Sequence, residues 1–152
     1  MQAGLIAADV MVSPIVCVDA NENLPQVEGE LIREHVGGAP VIRDGKMVGI
    51  ISRSDFVRVP VLLEVLDGYV ADELDKQPPS ETDHIQRFCE RFSDLKVAEV
   101  MTTQVISCQP DTPITELAES MVSHHVHRLV VVEGDRPVGI VESLDLVKLL
   151  MT

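Results

Sequence analysis

Gly49-Ile50-Ile51-Ser52-Arg53-Ser54-Asp55 has a close copy later in this chain of 152 residues, at Gly139-Ile140-Val141-Glu142-Ser143-Leu144-Asp145. In each copy a short apolar run predicts a β-strand, and the polar and acidic residues after it predict the first turn of a helix. An acid at such a position most often only caps the helix. Because the pattern is duplicated, we expect the function of the chain at these two turns.

The similarity extends outward from these two stretches through most of the chain. Ala8–Met11 matches Ala98–Met101, and the helical periodicity of Leu24–Val36 matches that of Ile114–Val126. Asp44-Gly45, which lies between two apolar runs, predicts a hairpin. The strands predicted in the first copy are Ile15–Val18, Ala39–Ile42 and Met47–Ser52, and those in the second are Val105–Cys108, Val130–Val132 and Val138–Val141.

Each repeat therefore has the order strand–helix–strand–strand–helix, which predicts an α/β (α+β) fold of two βαββα units. A three-stranded sheet with helices on one face leaves its other face uncovered, so the two units should pack sheet to sheet about a pseudo-twofold axis. We place the first repeat, with its C-terminal helix, at 1–75, a linker with a short helix at 76–95, and the second repeat at 96–152.

Several boundaries inside these segments also follow from the sequence. Gly37-Gly38 predicts the end of the helix that begins at Leu24. The apolar periodicity of Val61–Leu74 predicts the C-terminal helix of the first repeat, and Ile85–Phe92 predicts the short linker helix. The acidic run Glu81–Asp83 predicts a solvated connection before it.

Composition excludes several classes of function. A net charge of −13 argues against nucleic acid and against anionic membranes, since both require a basic surface. Three cysteines without a CxxC pair fit a reducing cytoplasm better than a disulfide framework, and Cys17 and Cys108 are predicted to be buried apolar residues. The sequence shows neither a signal peptide nor an apolar run of about 18 residues.

We also expect neither catalysis nor a metal site. The sequence contains no Ser–His–Asp order, phosphate-binding glycine loop or dinucleotide fingerprint, so no enzymatic activity is predicted. His124, His125 and His127 lie where a helix gives way to a strand, so their side chains should point in different directions. No cysteine or acid with metal-ligand spacing accompanies them, and we predict no metal there.

The repeated pattern resembles a tandem cystathionine-β-synthase (CBS) domain pair, also called a Bateman module. The resemblance rests on Val10-Met11 and Val100-Met101, on Val48-Gly49-Ile50 and Val138-Gly139-Ile140, and on the two terminal acids of the opening stretches. The run from His127 to Val132 is similar to the regulatory subunits of AMP-activated kinases. The resemblance implies a module that senses adenine nucleotides (AMP, ADP or ATP) or adenosyl compounds such as S-adenosylmethionine, without an obligatory cofactor.

In this family each cleft combines the Ser/Thr and Asp of one repeat with a strand of the other. Carried over, site one combines Ser52 and Asp55 with a segment and two basic side chains of the second repeat. The acid would bind the ribose hydroxyls and the serine a phosphate, near the positive end of a helix. The second-repeat residues of site one are Thr103, Gln104, Val105, Ile106, His127 and Arg128. Arg128 would supply a permanent charge to phosphates, and the alternative for it is a surface ion pair.

Site two departs from the pattern twice. Glu142 stands where the Ser/Thr is expected, and Gly38 stands where Arg128 stands in the other repeat, so we expect site two to lack a cation. A carboxylate at that position disfavours a phosphate, so we expect site two to be empty or to take a ligand with little negative charge. The residues implied for site two are Ser13, Pro14, Ile15, Val16, Gly38, Glu142 and Asp145, with Gly37 beside them.

Two functions follow from the sequence. The first is a stand-alone regulatory module that binds an adenine nucleotide mainly at site one, forms a homodimer through its apolar helices and acts on a target protein in trans. The second is a ligand-independent dimeric assembly protein that has kept the fold and lost the sites.

Overall fold

Each repeat forms a mixed three-stranded sheet. The computed structural model describes residues 4–61, 63 and 81–151. The first repeat contains α1 (Ala7–Val10), β1 (Val18–Asp19), α2 (Leu24–Arg33), β2 (Gly38–Arg43), β3 (Lys46–Ser52) and a helix α3 at 53–61. After α4 (Glu81–Asp94), the second repeat contains α5 (Val97–Val100), β4 (Ser107–Cys108), α6 (Ile114–His124), β5 (Arg128–Glu133), β6 (Arg136–Glu142), α7 (Ser143–Lys148) and a 3-10 turn at Leu149–Met151.

The two sheets have the same topology. β1 runs parallel to β2, and β2 is antiparallel to β3; β4, β5 and β6 repeat this order. The predicted α/β fold of two βαββα units is therefore confirmed. The hairpin predicted at Asp44-Gly45 is also confirmed, with both residues in the left-handed conformation (φ 53° and 77°) that a tight turn between twisted strands requires.

The first helix ends earlier than the glycines predict. α2 ends at Arg33, and the left-handed residue after it is His35 (φ 54°), followed by a hydrogen bond from the Val36 N–H to the Leu31 carbonyl oxygen of 3.1 Å. This is a C-cap of the Schellman type, with histidine where glycine is usual. Gly38 instead begins β2, and a Cβ on it would lie 2.7 Å from the Ile51 carbonyl oxygen.

The first strand of each repeat is shorter than predicted. β1 pairs with β2 only at Val18 and Asp19, and Ile15–Cys17 lies outside the sheet. In the second repeat the strand likewise begins at Ser107 rather than at the predicted Val105. The shortening follows from the path of the chain, because the segment before each strand pairs with the other repeat.

Backbone hydrogen bonds and helix packing between the repeats join the two halves of the chain. The Ala7 N–H donates to the Thr112 carbonyl oxygen (2.8 Å), and α1 packs on the core of the second repeat. In the matching contact, the Val97 N–H donates to the Glu22 carbonyl oxygen (3.0 Å), and α5 packs on the core of the first repeat. Each repeat's core is thus completed by a segment of the other, which gives the pair its pseudo-twofold symmetry.

The linker helix is longer than predicted. α4 runs from Glu81 to Asp94 and includes the acidic run expected to be a solvated connection, so that prediction is wrong. The rings of Phe88 and Phe92 stack with centroids 5.9 Å apart and pack against the core of the first repeat. Apolar contact of this kind supplies the tertiary support that a short isolated helix lacks.

Two further points concern helices. Most of the helix predicted at Val61–Leu74 lies outside the described residues. Within residues 4–61, 63 and 81–151, none of the helices has the length and apolar composition of a transmembrane span.

Candidate functional site

The two acids of the opening stretches occupy the same position in their helices. Asp55 is the third residue of α3, and its Oδ2 accepts a hydrogen bond from the Ser52 N–H (2.8 Å). Asp145 is the third residue of α7, and its Oδ2 accepts one from the Glu142 N–H (2.9 Å). Both carboxylates therefore cap the start of a helix, as the ordinary interpretation of the pattern predicts.

Asp55 makes further contacts. Its Oδ2 also accepts a hydrogen bond from the Ser52 hydroxyl (3.1 Å), and its Oδ1 lies 2.5 Å from Nη2 of Arg58. Its side chain is 3% exposed, and among the described residues it is the one buried charged side chain. The serine hydroxyl, predicted to face a phosphate, is instead turned onto the carboxylate, because a charged acceptor lies within its reach.

Asp145 is less enclosed. Its Oδ1 pairs with Nζ of Lys148 at 3.1 Å, and its side chain is 15% exposed. Glu142 has no hydroxyl to donate, so the carboxylate lacks the third contact that Ser52 gives to Asp55. The two turns have the same backbone design and differ in how many donors surround the acid.

The segment from Thr103 to Ile106 begins beside the end of β3. Thr102 exchanges two backbone hydrogen bonds of 2.9 Å with Ile50, two residues before Ser52. Thr103 and Gln104 are exposed, while Val105 and Ile106 are half-buried. The structure therefore brings this segment of the second repeat to the strand that carries the Ser52 turn.

The equivalent segment of the first repeat lies at site two. Val12 exchanges backbone hydrogen bonds with Ile140 (2.8 and 3.3 Å), two residues before Glu142. The residues that follow are exposed at Ser13 and Pro14 and half-buried at Ile15 and Val16. Each predicted cleft thus receives a backbone segment from the opposite repeat.

Arg128 lies between the two sites. Its Nη1 donates to the Gly37 carbonyl oxygen (3.3 Å), and its Nη2 lies 3.4 Å from Oε1 of Glu142. The expectation that Glu142 has no cation nearby is therefore wrong, since β5 and β6 are neighbours and place Arg128 opposite Glu142. The surface ion pair considered as the alternative for Arg128 is present within the second repeat, and the hydrogen bond to Gly37 links Arg128 to the first repeat.

Gly38 makes room for this arginine. A Cβ on Gly38 would lie 2.9 Å from Nη1 of Arg128 and 3.3 Å from Cα of Ser52. The guanidinium and the end of β3 therefore flank the same small space. Gly38, predicted as the position of a missing cation, is the position that admits the cation of the other repeat.

His127 is exposed, and its backbone lies at the start of α7. Its carbonyl oxygen accepts a hydrogen bond from the Ser143 N–H (2.8 Å), next to Glu142 of site two. The Gly37 carbonyl oxygen accepts the equivalent hydrogen bond from the Arg53 N–H (3.1 Å) at the start of α3. In each repeat, the residue just before the second strand therefore accepts a hydrogen bond from the first residue of the helix that carries the acid.

His124 and His125 do not form a cluster with His127. Nδ1 of His124 lies 2.9 Å from the Ser120 carbonyl oxygen, and His125 takes the left-handed conformation that ends α6. In the part of the chain that the structure describes, no three His, Cys, Asp or Glu side chains come together in a way that could hold a metal ion.

The half-buried cysteines are protonated thiols at neutral pH. Burial raises the pKa of Cys108 to about 11 and also raises the pKa of Cys17. Because the thiolate is the reactive form, both are poor nucleophiles. Cys89 is exposed, on the surface of α4.

Arg58 is the contact that sequence analysis missed. It lies three residues after Asp55 on α3, and Lys148 lies three residues after Asp145 on α7. Residues three apart on a helix face each other, so an acid and a base at this spacing predict an ion pair. The same spacing in both repeats was the signal available in the sequence.

Comparisons with known proteins agree with this architecture. The family model described as "CBS domain" matches residues 7–62 and 97–152. The protein MJ1426 of Methanocaldococcus jannaschii is 35% identical over 156 residues, covering 97% of this chain and 92% of that protein.

Two solved structures are also similar. The CBS domain of a CBS domain-containing membrane protein from Sphaerobacter thermophilus is 30% identical, with a TM-score of 0.75, over 95% of this chain and 87% of that one. The CBS domain pair of protein MJ0100, solved in complex with 5′-methylthioadenosine and S-adenosyl-L-methionine, is 23% identical, with a TM-score of 0.69, over 97% of this chain and 96% of that one. The predicted CBS pair is confirmed, and this chain belongs to the CBS domain family, with one CBS domain in each half.

Proposed function

We propose that this chain is a regulatory module that binds an adenine nucleotide or an adenosyl compound, mainly at site one, and signals the bound state to a target protein in trans. The observation that carries the proposal is the pairing of Ile50 with Thr102. It sets the segment 103–106 of one repeat beside the Ser52–Asp55 turn of the other. A ligand held there touches both repeats and so favours one arrangement of them over another.

The chemistry of site one suits a nucleoside phosphate. A carboxylate at a helix start can accept hydrogen bonds from both ribose hydroxyls, and the polypeptide N–H groups there favour an anion. The Ser52 hydroxyl can turn from Asp55 to a phosphate oxygen. Arg128 supplies the local cation that an anionic ligand needs in a chain of net charge −13.

The identity of the ligand is a separate proposal. The MJ0100 pair was solved with two adenosyl compounds, which supports the adenosyl class without selecting a nucleotide. AMP, ADP and ATP suit site one because Arg128 lies beside it. We assign to site two a ligand without phosphates, such as adenosine or S-adenosylmethionine, because Glu142 stands where a phosphate would lie.

A homodimer is the second part of the proposal. The apolar side chains Val57, Val61, Leu144, Val147, Leu150 and Met151 on α3, α7 and the 3-10 turn are each at least half exposed. Large apolar side chains that are exposed in a single chain are the kind of surface that an interaction covers. A second copy of the chain, related by a twofold axis, would cover them.

Two features favour the alternative function. Asp55 already has three donors and is buried, and Glu142 opposes phosphate at site two. An assembly protein that binds no nucleotide would tolerate both features. Binding measurements separate the two functions.

Isothermal titration of the chain with AMP, ADP, ATP and S-adenosylmethionine tests the proposal. At least one should bind with a Kd well below about 1 mM, corresponding to more than about 4 kcal/mol. Asp55→Asn should weaken nucleotide binding at least about tenfold, since it removes the charge that two ribose hydroxyls would share. Asp145→Asn is the matched control at site two and should leave nucleotide affinity unchanged.

Two results would contradict the proposal. If no compound binds below millimolar concentrations, the assembly protein becomes the better account. If Asp145→Asn weakens nucleotide binding and Asp55→Asn does not, the assignment of the two sites is reversed. Thermal melts of both variants, compared with the parent chain, show whether loss of the helix cap has unfolded the protein.

A further inference from the structure

Arg58 covers the carboxylate that site one would use. Its Nη2 lies 2.5 Å from Oδ1 of Asp55, and its Nε donates to the Ser54 carbonyl oxygen (3.4 Å). The other oxygen, Oδ2, accepts two hydrogen bonds from Ser52. With 3% of the side chain exposed, Asp55 has no open face for a ligand.

A ribose needs both of these oxygens. Its two hydroxyl groups donate to a carboxylate, so at least one present donor of Asp55 must leave before they can bind. The Ser52 N–H is fixed by the backbone at the start of α3 and cannot leave without unwinding the helix. The Ser52 hydroxyl can turn away, but this frees only Oδ2. Oδ1 becomes accessible only when Arg58 moves, and its side chain is long, flexible and 70% exposed.

The matching acid at site two is less closed. Lys148 lies 3.1 Å from Asp145, whose side chain is 15% exposed and which receives no hydroxyl hydrogen bond. A lysine offers a point charge, whereas an arginine offers a planar fork that can hold Asp55 and the Ser54 carbonyl oxygen together. Asp55 at site one is therefore more tightly enclosed than Asp145 at site two, although the residues of site one suit a phosphate-bearing ligand better.

We propose that Arg58 is a gate that closes site one in the free chain and must swing off Asp55 before a ribose can bind. This inference rests on the proposed function and adds a residue that sets its affinity. The apparent ligand affinity equals the intrinsic affinity multiplied by the fraction of chains in which the gate is open. The gate makes the site respond only to higher ligand concentrations than its contacts alone would require.

Arg58→Met tests the gate because it keeps the length of the side chain and removes the ion pair. Adenosine is the first probe, since it is uncharged and its binding does not depend on the general charge of the protein. Because adenosine also suits site two, every adenosine titration uses chains that carry Asp145→Asn. Because Arg58 is 70% exposed, its ion pair with Asp55 contributes little, and Arg58→Met should bind adenosine about threefold more tightly than the parent chain. Arg53→Met removes the same charge from the same helix, without a side-chain contact to Asp55, and should leave the affinity unchanged.

Salt provides a second measurement. The guanidinium of Arg58 is 70% exposed, so its attraction to Asp55 weakens as ionic strength rises from about 0.05 to about 0.5 M, and the gate should open in more of the chains. Adenosine should therefore bind the parent chain more tightly at high salt and Arg58→Met equally at both concentrations. A residue that only stabilises α3 would produce no such difference.

The crystal structure of the complex with adenosine or AMP gives the direct result. The gate is supported if Arg58 has left Asp55 and the ribose hydroxyls contact the carboxylate; it is overturned if the ion pair persists beside a bound ribose. Equal adenosine affinity of the parent chain, Arg58→Met and Arg53→Met overturns the gate and leaves the proposed function standing. Failure of adenosine, AMP, ADP, ATP and S-adenosylmethionine to bind both the parent chain and Arg58→Met overturns both, whereas binding to the variant alone supports the gate.

Discussion

Met101 of the second repeat packs directly on Gly49 of the first. A Cβ on Gly49 would lie 2.6 Å from Sδ of Met101 and 2.8 Å from the Thr102 carbonyl oxygen. Met11 packs in the same way on Gly139 in the opposite direction. The methionines and glycines that carry the family resemblance are therefore partners across the pseudo-twofold axis.

Gly49→Ala should destabilise the chain by about 1–3 kcal/mol, because the added methyl group meets a backbone oxygen that is fixed by its pairing with Ile50. Gly139→Ala should cost less, since the nearest atoms there belong to the flexible Met11 side chain. Urea unfolding followed by circular dichroism measures both.

Gly29→Ala is the control for these glycine substitutions. Gly29 lies within α2, and a Cβ there would meet nothing within 4 Å. The substitution should stabilise the chain by about 0.5–1 kcal/mol through helix propensity. A loss of stability at Gly29, or equal effects at Gly49 and Gly139, would contradict this account of the contacts.

Glu142→Ser should give site two the ability to bind AMP. The substitution removes the charge that repels phosphate, supplies the hydroxyl found at Ser52 and releases Arg128 from its 3.4 Å ion pair. Titration with AMP should show a second binding event. Glu142→Gln, which removes the charge without supplying the hydroxyl, should give a weaker second event, and unchanged stoichiometry in both variants would contradict the prediction.

Thiol labelling should distinguish the three cysteines. Because burial raises the pKa of Cys108 to about 11, at pH 8 only about one thiol in a thousand is ionised there. Iodoacetamide should label exposed Cys89 first, and the labelling of Cys108 should accelerate as the pH rises toward that pKa. Mass spectrometry of peptides reports each site, and equal rates at pH 8 would contradict the prediction.

The proposed homodimer should depend on the end of the chain. Leu150→Glu places a charge on an apolar side chain that is 80% exposed, so the fold should survive while self-association weakens. Sedimentation equilibrium at micromolar concentration should show a dimer for the parent chain and monomer for the variant. Ile85→Glu on α4 is the control and should stay dimeric; a parent chain that is only monomeric would reject the dimer.

Local patterns explain why much of the fold was predictable. The duplicated strand–helix–strand–strand–helix order, the Asp44-Gly45 hairpin and both capping acids depend on periodicity and turn chemistry within a few residues. The incorrect predictions concern segments whose structure depends on contacts with residues distant in the sequence. The first strand of each repeat is short because its upstream segment pairs with the other repeat, and α4 is long because Phe88 and Phe92 gain a core to pack on.

The candidate site divides in the same way. Sequence by itself determined that two matched turns carry Asp55 and Asp145 and that only the first has a serine three residues before its acid. Tertiary structure decided that Arg128 bridges Gly37 and Glu142, because an arginine's partner depends on which strands and loops the fold brings within reach. It also decided that Asp55, in the turn with the serine, is more deeply buried than Asp145. Arg58 and Ser52 together surround Asp55, and an acid's exposure follows from the packing of all its neighbours rather than from its position in the chain.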